Sequence, residues 1–157
     1  MSGRAGELHL LFSLGADRYA LPASEVSEVL PLQRLKQLPE APAWVAGLLA
    51  YRGEMIPVLD LCQRALGRPA SVCNSTRLVL VRHPQAFGGR PLGLVLEKAS
   101  RVDRLPVEGA QPVGLARQPG YLGTVQESIP HGLVQRIRVA GLLPPDVAEL
   151  LVNAADA

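Results

Sequence analysis

The residues of this chain that could do chemistry are few and widely spaced. Its histidines, His9, His83 and His131, form no i, i+4 helical pair and adjoin no cysteine motif, so they lack zinc-ligand spacing and read as exposed imidazoles. Cys62 and Cys73 are the only cysteines and, with no secretory signal ahead of them, read as reduced and structural. Ser13, Ser24, Ser27 and Ser71 lack a nucleophile-elbow context, and no glycine-rich loop opens a long helix to cradle phosphate. Glu25 and Glu28 stand three apart on a stretch read as a short helix, where they are ordinary solvated charge rather than an acid–base pair. Asp60 directly precedes a helical stretch and reads as its N-cap. Cys62, on the first turn of that helix, could have a lowered pKa, but with no histidine implied nearby it reads as a buried thiol. The expectation is no catalytic residue, no metal and no cofactor.

Arg52 is different. It stands before Gly53 between two apolar runs, at the tip of a hairpin. There it is either a solvated turn charge or a planar, permanently charged fork held out to read a partner's carboxylate or carbonyls. Trp44, the sole tryptophan, lies between Pro42 and an apolar run and reads as core in preference to a lid over a groove.

The elements that must hold these residues are mostly short strands. Leu8 to Leu14 alternates with period two, Gly15 to Asp17 turns, and Arg18 to Leu21 returns as the second strand of a hairpin. From Ser24 the spacing of Val26, Val29 and Leu30 predicts a two-turn helix ended by Pro31, followed by extended chain over Leu32 to Leu38. Val45 to Leu49 and Met55 to Leu59 predict a hairpin around Arg52-Gly53-Glu54, with Pro57 on an edge or beside a bulge. Asp60, three residues before Gln63, starts a helix to Leu66 that Gly67 terminates.

Leu78 to Val81 predicts a strand buried on both faces, and a turn through Pro84 to Arg90 leads into a strand over Leu92, Leu94 and Leu96. A weaker strand covers Ala99 to Leu105, and Gly109 to Gly120 reads as a long exposed loop. Tyr121 to Val125 and Leu133 to Val139 form a final pair around a turn from Ser128 to Gly132. Val147, Leu150 and Leu151 mark a C-terminal amphipathic helix that frays after Asn153. No helix of crossover length separates successive strands, so the order points to antiparallel barrels or a sandwich.

Composition agrees and removes several functions. At 157 residues, 48% hydrophobic and 19% charged, with 15 glycines and 14 prolines, the chain has the make-up of a turn-rich globule. Its 16 basic and 14 acidic residues leave a net charge of +2, too balanced for a phosphate-binding field. Only 4% of residues are aromatic, which removes the stacking platforms single strands need, so nucleic acid is not expected as a partner. No apolar run approaches the roughly 20 residues that span a bilayer, and direct membrane insertion is not expected. The location expected is cytoplasmic.

The stretch Gly47-Leu48-Leu49-Ala50-Tyr51-Arg52-Gly53-Glu54-Met55-Ile56-Pro57-Val58-Leu59-Asp60-Leu61 is similar to the signature of CheW-like domains, G-V-I-N-L-R-G-x-V-I-P-V-I-D-L. Upstream, Tyr19-Ala20-Leu21-Pro22 and Val26-Ser27-Glu28-Val29-Leu30 resemble the family's strand and V-x-E-h helix. Downstream, Arg77 to Arg82 and Leu92 to Glu97 resemble its strand pair.

The resemblance covers nearly the whole chain and implies a single CheW-like domain over residues 1–157, with 1–7 and 153–157 frayed. The implied fold is all-β and mainly antiparallel: two SH3-like five-stranded barrels on a shared core, with short helices and a C-terminal helix. The implied function is a non-enzymatic adaptor that couples methyl-accepting chemoreceptors to a CheA-type histidine kinase, recruited to membrane-associated receptor arrays.

The resemblance further implies that a groove between the barrels takes the receptor's cytoplasmic helical tip and that a second surface docks on the kinase's regulatory domain. By position, Val26, Glu28, Arg52 and Leu78 resemble the receptor-groove residues. Val26 and Leu78 would bury apolar area there, while Glu28 and Arg52 would set orientation. Gly53 makes the hairpin turn, and Gly47, Pro57 and Asp60 are structural. Ala50 replaces the usual Asn, and Arg136 and Arg138 stand where the family tends to be apolar or acidic, which suggests an auxiliary pathway with different partners. An SH3-like or OB-like barrel binding nucleic acid or another ligand is the alternative.

Overall fold

The computed structural model describes residues 6–83, 90–106, 120–128 and 131–156, apart from the side chain at 100. The sequence expectations for the turn from Pro84 and for most of the Gly109 to Gly120 loop fall outside these residues. Nine strands are present among them: β1 (Glu7–Leu14), β2 (Asp17–Pro22), β3 (Val26–Pro31), β4 (Val45–Tyr51), β5 (Glu54–Asp60), β6 (Arg77–Val81), β7 (Leu92–Leu105), β8 (Leu122–Ser128) and β9 (Gly132–Ile137). Two α-helices accompany them, α1 (Leu61–Leu66) and α2 (Pro145–Asp156).

β7 explains why nine strands make two five-stranded barrels. Its first half pairs with β6 and β5, joining the barrel of β3, β4, β5 and β6. Its second half pairs with β1, joining the barrel of β1, β2, β8 and β9. The handover lies where the β1–β7 register slips between Ser13↔Glu97 and Leu11↔Arg101, and Lys98 there has φ +51°. An extra stretch of backbone in left-handed geometry bends a strand, so β7 is one 14-residue element and not the two strands the sequence suggests.

The core divides the same way. Leu49, Ile56, Val58, Leu78, Leu80 and Val95 fill one barrel, while Leu11, Ala20, Leu105 and Val134 fill the other. Between them runs a larger seam that takes Phe12 and Leu14 from one barrel and Val79 and Leu94 from the other, closed by Val147 and Leu151 of α2. Because α2 buries one apolar stripe in that seam, its helical pattern holds to Asp156, past the fraying point expected at Asn153. At the other end, β1 already begins at Glu7.

The stretch read as a helix from Ser24 is a single 3-10 turn, Ala23–Glu25, followed by strand β3, which pairs antiparallel with β6 from Val26↔Val81 to Pro31↔Arg77. Burial alternates along β3, with Val26, Glu28 and Leu30 half-buried and Ser27, Val29 and Pro31 exposed. The pairing is mainly antiparallel, as expected, with two parallel ladders, β2 with β9 and β5 with β7.

Candidate docking site

The β4–β5 hairpin is built to hold one side chain out. Tyr51↔Glu54 is its last pair, leaving Arg52 and Gly53 as a two-residue turn with φ +50° and +81°. Left-handed geometry at both positions matches the strand twist of a tight hairpin, and Gly53 meets that requirement without a side-chain clash. Deeper in the hairpin, Gly47 has φ +145°, and a Cβ there would collide with the Lys36 carbonyl oxygen. Lys36 and Leu48 exchange both backbone hydrogen bonds at 2.8 Å, so the missing side chain lets the 32–38 segment lie against β4. Pro57 pairs with Leu48 one residue before β5 gains β7 as a second neighbour.

Asp60 ties the end of β5 both to α1 and to the chain past that helix. Its Oδ1 accepts from the Cys62 and Gln63 amides at 3.0 and 3.2 Å, and its Oδ2 accepts from the Ala70 amide at 2.9 Å. The first two contacts make it the N-cap of α1, which stabilises such a helix by about 1 kcal/mol. Glu97 works beside it, accepting from Arg68 Nη1 and Nη2 at 3.2 and 3.4 Å and from the Ser71 amide at 2.7 Å. The Arg68 contact holds the Glu97 carboxyl down at about 2. Burial, with the Glu97 charge beside it, pushes the Cys62 thiol up to about 12, the opposite of an activated nucleophile.

At the tip, Glu28 and Arg52 come together. Oε1 of Glu28 accepts from the Tyr51 hydroxyl and lies 3.7 Å from Arg52 Nη2, while the Arg52 guanidinium sits 5.0 Å from the centre of the Tyr51 ring. The Arg52 side chain keeps 76% of its exposure. Val26 is not part of this cluster: half-buried, it packs on the seam.

Leu78 requires a correction. It is fully buried inside the barrel opposite Leu30 and Val95, so it has no apolar area left to offer a partner. β6 lies between β3 and β7 with core on its buried face, and Leu78 can only support the site from beneath.

Sequence position alone misses the apolar lining of the inter-barrel groove. Leu10, Ala99 and Val102 from one barrel and Val29, Leu30, Pro31 and Arg77 from the other enclose a hollow of about 380 Å³. Val29 and Val102 remain 44% and 56% exposed. The strand conformation of β3 is what reveals Val29: alternate side chains point to opposite faces, so Val29 faces away from Glu28.

The other candidates resolve as structure. Trp44 packs on the seam with the Arg64 guanidinium 4.1 Å from its ring centre. His9 and His131 are buried, contrary to the expectation of exposed imidazoles. His9 Nδ1 lies 2.9 Å from the Glu7 carbonyl oxygen and His131 Nε2 lies 2.8 Å from Asp103 Oδ2. Burial lowers the His9 pKa. Glu25 sits on the 3-10 turn, where burial raises its carboxyl. Cys73 is exposed, and hydrogen bonding to Ser75 and Thr76 lowers its thiol to about 7. Among the described residues no group of three or more His, Cys, Asp or Glu could hold a metal ion.

Two barrels sharing a strand, an open apolar groove between them and no catalytic cluster among the described residues are the features of a binding domain. The chain belongs to the CheW-like domain family, whose model matches residues 8–144. It is 33% identical over 135 residues to protein PilI of Pseudomonas aeruginosa, covering 79% of this chain and 73% of that protein. To protein FrzA of Myxococcus xanthus it is 32% identical, covering 74% and 72%. To chemotaxis protein CheW of Klebsiella aerogenes it is 25% identical, covering 68% and 62%. Its fold matches the crystal structure of the scaffolding protein TtCheW from Thermoanaerobacter tengcongensis with a TM-score of 0.80 at 21% identity, over 93% of each chain. The chain is thus a non-enzymatic coupling protein of chemotaxis-like signalling, in a family that links receptors to CheA-type kinases.

Proposed function

We propose that the inter-barrel groove receives the helical cytoplasmic tip of a methyl-accepting chemoreceptor, and that a second surface docks on the regulatory domain of a CheA-type kinase. The observation that carries the first half is the groove itself, where Val29 and Val102 stay open to solvent on facing barrels. An amphipathic helix laid there covers them, and burial of apolar area at about 25 cal/mol per Å² supplies the drive. Arg52 and Glu28, on the other side of β3, read polar groups beside that helix and reject wrong registers. Membership of the family supports the kinase half.

In this reading, binding to receptors recruits the chain to membrane-associated arrays, as membership of the family supports. Single contacts of this size are modest in affinity, and an array strengthens them by multivalency.

The test is Arg52→Glu in the full chain. This change sets two carboxylates against each other at an exposed turn, so the domain stays folded while receptor recruitment is lost. Wild-type recruitment by a variant of unchanged circular dichroism overturns the role given to this surface, and failure to bind any kinase regulatory domain from the same genome overturns the adaptor pairing.

A further inference from the structure

The Arg52 turn is held through both of the residues that close it: Tyr51 is bound by Glu28, and Glu54 by Arg90. Arg90 reaches Glu54 and Asp156 at once. Its Nη2 lies 2.7 Å from Asp156 Oδ1 on the last turn of α2, and its Nε lies 3.8 Å from Glu54 Oε2, next to the turn. The Arg90 side chain is only 16% exposed, against 57% for Glu54 and 56% for Asp156, so the cation is the fixed member and the carboxylates come to it.

We propose that Arg90 is a positioning residue for Arg52: it straps the hairpin tip to the end of α2 and so holds the arginine in its docking orientation. Three features support a selected contact over a chance surface pair. The tight hairpin puts a non-glycine residue, Arg52, at φ +50°, which costs arginine more than glycine, so contacts at the residues closing the turn offset that cost. Glu54 closes that turn opposite Tyr51, whose hydroxyl donates to Glu28, so the strap and the Glu28 cluster pull on the two ends of the same four residues. Last, α2 carries Asp156 at its negative end and no basic residue in its final turn, an arrangement unfavourable to the helix dipole unless a cation arrives from elsewhere. Arg90 is that cation, and its planar fork spans two acceptors where a lysine offers a point charge.

This inference rests on the docking reading of Arg52, and the experiment separates the two. In the full chain, amide hydrogen exchange of Tyr51 to Glu54 is followed by NMR in wild type, Arg90→Ala, Arg90→Lys and Asp156→Asn, with the Val79 amide as the core reference. Asp156→Asn removes one anchor at an exposed helix end, and keeps the result readable if Arg90→Ala destabilises the domain. Arg90→Ala is expected to speed exchange at the turn about threefold without changing Val79, Arg90→Lys to restore part of the protection, and Asp156→Asn to give an intermediate effect.

Binding of a purified chemoreceptor cytoplasmic-tip fragment from the same genome is then measured in a double-mutant cycle. Arg90→Ala is expected to weaken it about threefold, and to have no further effect in an Arg52→Ala background. Unchanged exchange at the turn in both Arg90→Ala and Asp156→Asn overturns the strap. A loss that persists undiminished without Arg52 overturns its role in positioning. Faster exchange together with an Arg52→Ala chain that binds normally overturns the docking reading and leaves the strap standing as a feature of the fold.

Discussion

The Tyr51 hydroxyl donates to the same Glu28 oxygen that faces the Arg52 guanidinium. One carboxylate oxygen thus holds two neighbours on the hairpin, and the Tyr51 hydroxyl is harder to ionise because its proton is engaged there. The family signature has leucine at this position, so the contact belongs to this chain's own version of the site.

Removing only the hydroxyl tests it. Tyr51→Phe keeps the ring under Arg52 and frees Glu28 to rotate, so receptor-tip binding should fall about two- to fivefold while the melting temperature stays within about two degrees. Titration calorimetry and a thermal melt give both numbers. An unchanged affinity would mean that Glu28 is held by Arg52 alone.

Leu78 and Val29 make opposite predictions from neighbouring strands. Leu78→Ala empties a fully buried position and should cost about 2–5 kcal/mol in denaturant unfolding, with binding reduced only as far as the folded fraction falls. Val29→Ser alters an exposed residue and should cost about 0.5 kcal/mol or less, yet weaken receptor-tip binding about tenfold. If Leu78→Ala proves stable and selectively fails to bind, the groove lies elsewhere.

The hairpin and its helix are legible in the sequence because their signals are local. Arg52-Gly53 between apolar runs, Asp60 ahead of a helical stretch and Gly67 after it each satisfy a nearby backbone need, and each stands where the sequence places it. β3 misleads for an equally physical reason: Glu28 occupies the half-buried row with Val26 and Leu30, so a charge sits where period two calls for an apolar residue, and helical spacing fits better. The parallel β2–β9 and β5–β7 ladders join residues far apart in sequence, and no short window carries their register. The groove is hidden likewise, since Val29 and Val102 become neighbours only after β7 passes from one barrel to the other.

Acid should loosen the loop behind the hairpin. The folded Glu97 carboxyl sits at about 2, below its ordinary value of 4.5, because the ionised form is held by Arg68 and the Ser71 amide. A depressed folded pKa stabilises the protein above the unfolded value, and that contribution is lost as pH falls from about 4.5 toward 2. Glu97→Gln should therefore lower the melting temperature at pH 7, with the gap to wild type closing across that window. Thermal melts of both chains from pH 7 down to 2.5 measure this, and a gap independent of pH would show that shape, not charge, is what Glu97 contributes.

The two cysteines should separate cleanly by reactivity. Cys73 is exposed and its thiol is lowered to about 7 by hydrogen bonding with Ser75 and Thr76, so a substantial share is thiolate at neutral pH. Cys62 is fully buried and pushed up to about 12 by burial and by the Glu97 charge, so almost none is. Iodoacetamide at pH 7 should add one carbamidomethyl group to the native chain, at Cys73, and a second only in denaturant, as read by peptide mass spectrometry. The singly labelled protein should still bind the receptor tip, since Cys73 lines a hollow that adjoins the groove at Pro31 and Arg77 but is not part of the groove lining. Native labelling at Cys62 would mean that α1 opens readily, and the anchoring by Asp60 and Glu97 would then be far weaker than their contacts indicate.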